Sequence, residues 1–389
     1  MSNQGNQSPA NVSNSSIRSS DSNESISTGG TPSASAPAPE STPSTGSDSQ
    51  QRYSRQIRFS QLGVQGQQRI AAAKAVLIGC GALGTAIANT LVRSGLGSLT
   101  IVDRDFVEIS NLQRQSLFDE TDVAQNLPKS VAAVAKLKQI NSQVNLTPIV
   151  ADVDATNIQP LIGDTDMILD GSDNFEIRFL INDVAIKQGI PWVFGGCLGA
   201  DGQTMTILPG ETPCLSCLMP QGPPPPGTSP TCDAQGILGT IIQVIAAIEA
   251  NEAIKILSGN RHAINRNLTS ISLWDNRFQQ IDLSRLNQSK NCVTCHQRQF
   301  QYLSGQRTSI SEVLCGRNAV QLNFPGQSSI DLPALAQRLQ SVGVVHFNPY
   351  LLKLQVDTYV ITVFSDGRGI VSGTDDPLIA RKLFAQYLG

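Results

Sequence analysis

The sequence predicts a doubly wound α/β fold with a mostly parallel, Rossmann-like sheet. Short apolar runs rich in β-branched residues alternate with segments of helical apolar spacing over most of residues 75–257. The first run, Ala75–Ile78, ends in the glycine-rich turn Gly79–Gly84, and helical spacing follows at once. A strand, a glycine turn and a helix in this order indicate the start of a parallel βαβ unit.

Apolar periodicity assigns the remaining elements of the main body. Predicted helices cover Ser60–Lys74 (one helix or two), Thr85–Ser94, Lys129–Ile140, Phe179–Gln188 and Gly239–Leu257 (one helix or two). Predicted strands cover Ala75–Ile78, Leu99–Asp103, Val144–Val150, Met167–Leu169, Trp192–Phe194 and Gln203–Leu208, with one or two more in Thr269–Leu283.

The two ends of the chain differ from this body. Residues 1–51 contain no Leu, Phe, Tyr, Trp or Cys, so they cannot bury enough apolar surface and are predicted to be disordered. From about Thr308 a small α+β unit is predicted, with helices Leu332–Leu339 and Pro377–Leu388 and strands Tyr359–Phe364 and Gly369–Val371. The predicted parts are therefore a tail (1–51), a main domain (52–305) and a C-terminal domain (306–389).

Composition excludes several classes of protein. Without residues 1–51 the chain has equal numbers of basic and acidic residues, which argues against a broad nucleic-acid surface. No apolar run reaches the roughly eighteen residues of a membrane span, and the first residues do not resemble a secretory signal. Paired cysteines without a secretory context indicate a reducing compartment, so we expect a cytoplasmic protein.

The glycine turn predicts a nucleotide site. Glycines there let the backbone approach a phosphate, and the following helix offers unpaired N–H donors. Asp103 ends the next predicted strand, about 20 residues later, where a carboxylate accepts from ribose hydroxyls. The alternative is a glycine turn needed only for close packing of helix on strand.

Two Cys-x-x-C pairs, Cys214/Cys217 and Cys292/Cys295, predict a structural zinc site that staples the second half of the main body. Four thiolates on two tight turns suit tetrahedral zinc and leave no open coordination position. The gap between the pairs is long, so four free buried thiols are the alternative.

Several motifs occur together in one order: Arg52-Tyr53-Ser54-Arg55-Gln56, Gly79–Gly84, Asp103, Asn111-Leu112-Gln113-Arg114-Gln115, Pro128-Lys129 and Asp170-Gly171-Ser172-Asp173-Asn174. With them the chain resembles the ThiF/MoeB/HesA family, the bacterial relatives of ubiquitin-activating enzymes, from about Arg52 to Gln297. Both cysteine pairs match the zinc site of that family. Residues 306–389, with Val313–Asn318 and Phe364–Arg368, resemble the C-terminal extension of thiamine-type members.

The resemblance implies a homodimeric adenylyltransferase that uses ATP and Mg²⁺. Its expected substrate is the C-terminal Gly-Gly carboxylate of a ubiquitin-like sulfur-carrier protein, ThiS-like or MoaD-like, for thiamine thiazole or molybdopterin synthesis. We favour ThiS because of the C-terminal extension. A separate sulfur donor is expected, such as a cysteine desulfurase or a rhodanese.

The resemblance also implies the roles of particular residues. Catalytic roles fall on Arg55 (reaching in from the neighbouring subunit), Arg114, Lys129, Asp173 (also binding Mg²⁺) and Cys232. Nucleotide contacts are expected from Gly79, Gly81, Gly84, Asp103, Ser110, Asn111, Arg114, Lys129, Asp173 and Asn174. Cys232 is either a nucleophile toward the acyl-adenylate or a spare thiol.

Three other functions compete with this one. A nicotinamide-dependent dehydrogenase explains the glycine turn and Asp103 but leaves Arg114, Lys129 and Asp173 without a task. A family member could adenylate a peptide or a tRNA base instead of a carrier. A scaffold without catalysis has no use for the complete set of phosphate-handling residues.

Overall fold

An eight-stranded sheet forms the centre of the main body, and a six-stranded antiparallel sheet forms the C-terminal part. The computed structural model describes residues 51–223, 235–287, 291–307, 313–314, 318–322 and 330–388. All of them lie in the compact unit Ser47–Gly389. Cys232, the tail up to residue 50 and residues 315–317 of the Val313–Asn318 motif lie outside the described residues.

The helices of eight or more residues are α2 (Gly63–Ala72), α3 (Ala82–Arg93), α5 (Lys129–Ile140), α7 (Phe175–Gln188), α9 (Gly239–Leu257), α11 (Leu332–Leu339) and α12 (Pro377–Leu388). The shorter ones are α1 (Ser54–Ile57), α4 (Glu120–Ala124), α6 (Ile158–Ile162), α8 (Leu215–Leu218) and α10 (Ser284–Asn287), with 3₁₀ turns at Ile109–Asn111 and Arg261–Ala263.

The strands of the first sheet are β1 (Lys74–Ile78), β2 (Ser98–Asp103), β3 (Asn145–Val150), β4 (Met167–Asp170), β5 (Trp192–Leu198), β6 (Asp201–Ile207), β7 (Leu268–Ser272) and β8 (Arg277–Ile281). Those of the second are β9 (Val313–Leu314), β10 (Ala319–Leu322), β11 (Val344–Phe347), β12 (Leu351–Val356), β13 (Tyr359–Phe364) and β14 (Gly369–Ser372).

The first sheet has the order β3-β2-β1-β4-β5-β6-β7-β8. Strands β1 to β5 pair in parallel and β6 to β8 continue the sheet antiparallel. This confirms the predicted doubly wound, mostly parallel sheet. After β1 the chain moves to one side of the sheet and after β4 to the other, so the switch point lies between these two strands.

Helices cover both faces of the sheet, as alternation along β1 requires. Ala75 and Leu77 face one apolar core, together with α3, α5 and α9, whereas Val76 and Ile78 face a second core with α7. Both faces of β1 are therefore buried, and its carboxyl end is the part left for a ligand.

Two helices of the main body begin earlier in the chain than predicted. Helix α7 starts at Phe175, four residues before the predicted start, because the Asn174 side chain accepts a hydrogen bond from the Glu176 N–H. Helix α3 starts at Ala82, inside the glycine turn, with Gly81 at its N-cap. Both shifts carry the helix start up to the end of a strand.

The C-terminal sheet has the order β11-β12-β13-β14-β10-β9. Its apolar core includes Leu352, Ile361, Leu335 and Phe384, so α11 and α12 pack on it. The predicted elements of this part are present, and β9, β10, β11 and β12 were not foreseen. Among the described residues, no helix is both long enough and apolar enough to cross a bilayer.

Candidate functional site

The glycine turn after β1 touches the loop after β4. Gly79 has φ +88°, and a Cβ there would lie 2.8 Å from the carbonyl carbon of Gly171. A Cβ on Gly171 would lie 2.2 Å from the Gly79 carbonyl oxygen, as would a Cβ on Gly84. Only glycine permits this approach at all three positions. Since no side chain caps α3, its first N–H groups are left for an acceptor beside the turn.

Asp103, at the end of β2, supports this turn. Its Oδ2 accepts from the Cys80 N–H at 2.6 Å, and its Oδ1 accepts from the Asp105 N–H at 2.7 Å. The residue is 9% exposed. Burial raises the pKa of its carboxyl group, while the nearby charge of Lys129 opposes that shift. The predicted nucleotide acid therefore lies beside the glycine turn and braces its backbone.

Lys129 begins α5 and is paired with an acid. Its Nζ lies 3.1 Å from Asp105 Oδ2, and its backbone N–H donates to the Asp105 carbonyl at 2.9 Å. Only 4% of Lys129 is exposed. Arg104 extends this network through an ion pair of 3.1 Å with Asp152. Burial lowers the pKa of Arg104, but the charges of Asp152, Asp105 and Asp173 outweigh burial and raise it.

The buried ion pair between Arg178 and Asp170 stabilises the loop Gly171–Asn174. Arg178 Nε donates to Asp170 Oδ2 at 2.9 Å, and Arg178 Nη2 donates to the carbonyls of Ser172 and Gly195 at 2.7 Å each. Asp170 Oδ1 accepts from the Ser172 N–H and hydroxyl. Asp173 is exposed at the top of this loop. Sequence reasoning missed Arg178, although a charged residue within an apolar helix was a usable signal.

Glu249 of α9 adds a second buried carboxyl group here. Neither of its side-chain oxygens has a hydrogen-bond partner among the described residues, and a Cβ on Gly195 would lie 1.9 Å from Oε1. Burial, with a smaller effect of the Asp170 charge, raises the pKa of Glu249 well above its usual value, and Arg178 opposes this. Burial therefore favours the protonated, neutral form of this carboxyl group in the folded protein.

The Ser110–Gln115 segment packs beside the glycine turn. Asn111 is buried and its Oδ1 accepts from the Glu108 N–H, and half-buried Arg114 donates to the Ser110 carbonyl at 2.8 Å. A Cβ on Gly81 would lie 3.9 Å from the Gln115 amide nitrogen. By contrast, Arg55 on α1 is exposed, and no described hydrogen bond or ion pair joins it to these residues.

The four predicted zinc ligands form one cluster. The Sγ atoms of Cys214, Cys217, Cys292 and Cys295 all lie within 4.8 Å of one another. The Sγ–Sγ distances are 3.8 Å for Cys214–Cys217, 3.6 Å for Cys214–Cys292 and 3.4 Å for Cys217–Cys295. Four thiolates on one zinc ion with bonds of about 2.3 Å stand about 3.8 Å apart, so this set fits a tetrahedral ion. Hydrogen bonds from Cys214 and Cys217 lower the pKa of Cys292.

Helix α7 ties both cysteine turns to the main body. Asn182 Oδ1 accepts from the Leu215 N–H at 2.9 Å, next to Cys214. Asp183 accepts from the Thr294 hydroxyl at 3.4 Å and from the Tyr302 N–H at 2.9 Å. The side chains around the cluster are thus oriented by hydrogen bonds, as is usual around a metal site.

Comparison with known proteins agrees with this geometry. The ThiF family matches residues 53–294. Sulfur carrier protein ThiS adenylyltransferase of Bacillus subtilis is 42% identical over 339 residues, 87% of this chain and 99% of that protein. SAMP-activating enzyme E1 of Haloferax volcanii is 37% identical over 59% of this chain and 84% of its own. Among solved structures, E. coli MccB with ATP has a TM-score of 0.54 at 24% identity, covering 63% of this chain and 74% of that one, and this likeness concerns the fold alone.

A first prediction concerns the cysteine cluster. The purified chain is expected to hold one zinc ion per molecule by elemental analysis, and Cys292→Ser is expected to lose it and to unfold at a lower temperature, because a structural zinc site contributes to folding. Cys197→Ser, at a half-buried cysteine outside the cluster, is the control. Zinc retained at wild-type stoichiometry in Cys292→Ser would contradict a four-cysteine site.

A second prediction concerns Glu249. The unfolded chain releases this proton above about pH 4.3 and the folded chain does so at a much higher pH, so its contribution to stability falls as pH rises. Urea titrations should therefore show that Glu249→Gln gains stability over wild type from pH 5 to pH 8, by up to about 1.4 kcal/mol per pH unit. Glu120→Gln, the same change at an exposed residue, is the control. A gain for Glu249→Gln that is equal at both pH values would contradict a raised pKa of Glu249.

Proposed function

Since the chain belongs to the ThiF family and is an adenylyltransferase of the ubiquitin-like-modifier-activating type, we propose that it adenylates the C-terminal Gly-Gly carboxylate of a sulfur-carrier protein. The observation that carries the proposal is the meeting of phosphate-handling groups at the sheet's switch point. The glycine turn, Asp103, the Lys129–Asp105 pair and the Asp173 loop all lie at the carboxyl ends of β1, β2 and β4.

The chemistry requires little proton transfer. An oxygen of the carrier carboxylate forms a bond to the α-phosphorus of ATP, and the bond from that phosphorus to the bridging oxygen breaks. Pyrophosphate leaves with the electron pair, and an acyl-adenylate remains. The carboxylate is ionised at neutral pH, so no general base is needed. The barrier comes from bringing an anion to a polyanion, which alignment and positive charge lower.

The residues of the site supply these two contributions. The amides of Gly81–Gly84 are assigned to the phosphates and Asp103, Ser110 and Asn111 to the nucleoside. Arg114 and Lys129 are assigned to the phosphate oxygens. Asp173, exposed and close to Arg104, would hold Mg²⁺ with Asn174 beside it, and that ion would supply positive charge between the phosphates.

Lys129 reaches phosphate only by sharing its charge with Asp105. The pair is nearly buried, so phosphate oxygens would join an existing ion pair rather than meet a solvated lysine. Such a lysine is already restricted in its rotamers, and it loses less conformational entropy when the nucleotide binds. This supports a role in alignment as well as in neutralisation.

Arg55 is proposed to act across a dimer. It is exposed on α1, and within one chain no described contact brings it to the glycine turn. We therefore propose a homodimer in which each Arg55 serves the partner's phosphates, as the family resemblance implies.

The carrier is proposed to be ThiS-like, with thiamine thiazole synthesis as the pathway. The supporting observation is that the B. subtilis protein aligns over 87% of this chain, so the alignment must extend beyond residue 305 into the C-terminal part. The sulfur is proposed to come from a separate donor protein, a cysteine desulfurase or a rhodanese. A covalent role for Cys232 stays a prediction.

The direct test is exchange of labelled pyrophosphate into ATP. Exchange is expected only with a Gly-Gly carrier and Mg²⁺ present, and more strongly with a ThiS-like than with a MoaD-like carrier. Arg114→Ala and Asp173→Ala should each reduce its rate about 100- to 1000-fold, as loss of one electrostatic contact to a transition state does. Arg93→Ala, at the opposite end of α3 from the glycine turn, should leave the rate unchanged. No exchange with any Gly-Gly carrier by the zinc-loaded protein would overturn the proposal.

Mixed dimers test the placement of Arg55. Arg55→Ala and Asp173→Ala should each be inactive alone, since each removes a group from every site. After random exchange of subunits, half of the dimers pair the two variants and carry one intact site, so about a quarter of the wild-type activity should return. No recovery despite proven subunit exchange would place Arg55 outside the partner's site.

A further inference from the structure

The C-terminal sheet contacts the main body beside the candidate nucleotide site. Asn348 Nδ2 donates to the carbonyls of Gln125 and Asn126, at 3.1 and 2.9 Å. Phe364 lies 6.5 Å from Phe106, ring centre to ring centre. A groove of about 620 Å³ opens along the same seam. Phe106 also packs against a small apolar cluster of the C-terminal sheet, formed by Ala319, Leu351, Phe364 and Ile370.

Lys353 of β12 is a charged residue at this seam. Its Nζ donates to Asn126 Oδ1 at 2.6 Å and lies 3.7 Å from the centre of the Phe106 ring, in cation–π geometry. Burial lowers the pKa of Lys353 to about 8, and the charge of Glu108 opposes that shift. Removing the ammonium group of half-buried Lys353 from water carries a desolvation cost that an aliphatic side chain would not have. These contacts must compensate for that cost.

The two residues that Lys353 contacts belong to the two segments that carry Asp105 and Lys129. Phe106 follows Asp105, pairs with Pro128 in a β-bridge, and precedes Val107, whose N–H donates to the Leu127 carbonyl at 2.9 Å. Asn126 begins the other segment, in a left-handed conformation with φ +50°. One ammonium group therefore holds both segments at the point from which the Asp105–Lys129 pair extends.

We propose that Lys353 is a positioning residue for nucleotide binding, through which the C-terminal sheet fixes the Asp105–Lys129 pair against the glycine turn. The inference rests on the proposed function in one respect, that ATP binds at this turn. It assigns the C-terminal part a task within the adenylation site, through contacts that do not touch the substrate.

The test compares full-length variants at pH 7, below the pKa of Lys353, where the ammonium group is charged. Lys353→Met keeps most of the side chain and removes the charge. It is expected to weaken equilibrium binding of ATP with Mg²⁺, measured by calorimetry without carrier, about tenfold, as loss of supporting contacts around a site does. In pyrophosphate exchange the KM for ATP should rise by the same factor while kcat stays within about twofold, because the groups at the α-phosphorus are unchanged.

Two further variants separate positioning from general loosening of the structure. Lys353→Arg retains a cation that can donate to Asn126 and stack on Phe106, and it should recover most of the affinity. Lys382→Met, the same change at an exposed site on α12, should bind ATP as wild type does.

Equal ATP affinity in wild type and Lys353→Met overturns the inference and leaves the proposed function standing. Equal losses of affinity in Lys353→Met and Lys353→Arg, or a fall in kcat with unchanged KM, also overturn it. A wild-type protein that binds no ATP overturns the proposed function itself.

Discussion

The close approach of two backbone turns is the constraint on which the site depends. Gly79 and Gly171 end neighbouring strands, and a Cβ on Gly171 would lie 2.2 Å from the Gly79 carbonyl oxygen. Any side chain there would push β1 and β4 apart at their carboxyl ends. Because the turns touch, the uncapped start of α3 and the Asp173 loop face the same space. The backbone therefore determines how the two turns are arranged, and the charged side chains lie around them.

Charge around this space is balanced before any ligand arrives. Lys129 is paired with Asp105, Arg178 with Asp170 and Arg104 with Asp152. The cations therefore do not repel one another, and their side chains stay in place without a nucleotide. Under the proposed function, phosphate oxygens would share these cations with carboxylates, which would moderate the affinity for the nucleotide.

The sequence was sufficient for the sheet and for the parts of the site that follow strands directly. The glycine turn and Asp103 stand at the ends of predicted strands, so local pattern located them, whereas Lys129 begins a predicted helix and was assigned through the family resemblance. Arg178 and Glu249 could not be assigned in this way, because their partners are distant in sequence and are brought together only by packing of α7 and α9.

The missed strands of the C-terminal part have different physical reasons. Strand β11 is an edge strand with exposed Val344 and Phe347, so no buried face imposes an alternating pattern on it. Strand β10 is short and buried throughout, which also removes the alternation. Lys353 lies among leucines on β12, and its partners Phe106 and Asn126 are far away in the sequence. The residues next to Lys353 in the sequence therefore do not predict these contacts.

Helix α7 contacts both the Asp173 loop and the cysteine turns. Its first turn carries Arg178, which grips the loop of Asp173, and one turn further on Asn182 and Asp183 hold the cysteine turns. A helix this short behaves as a stiff rod, because its backbone hydrogen bonds resist bending. The thiol cluster and the Asp173 loop are consequently joined through one helix, so a displacement of the cysteine turns would also move that loop.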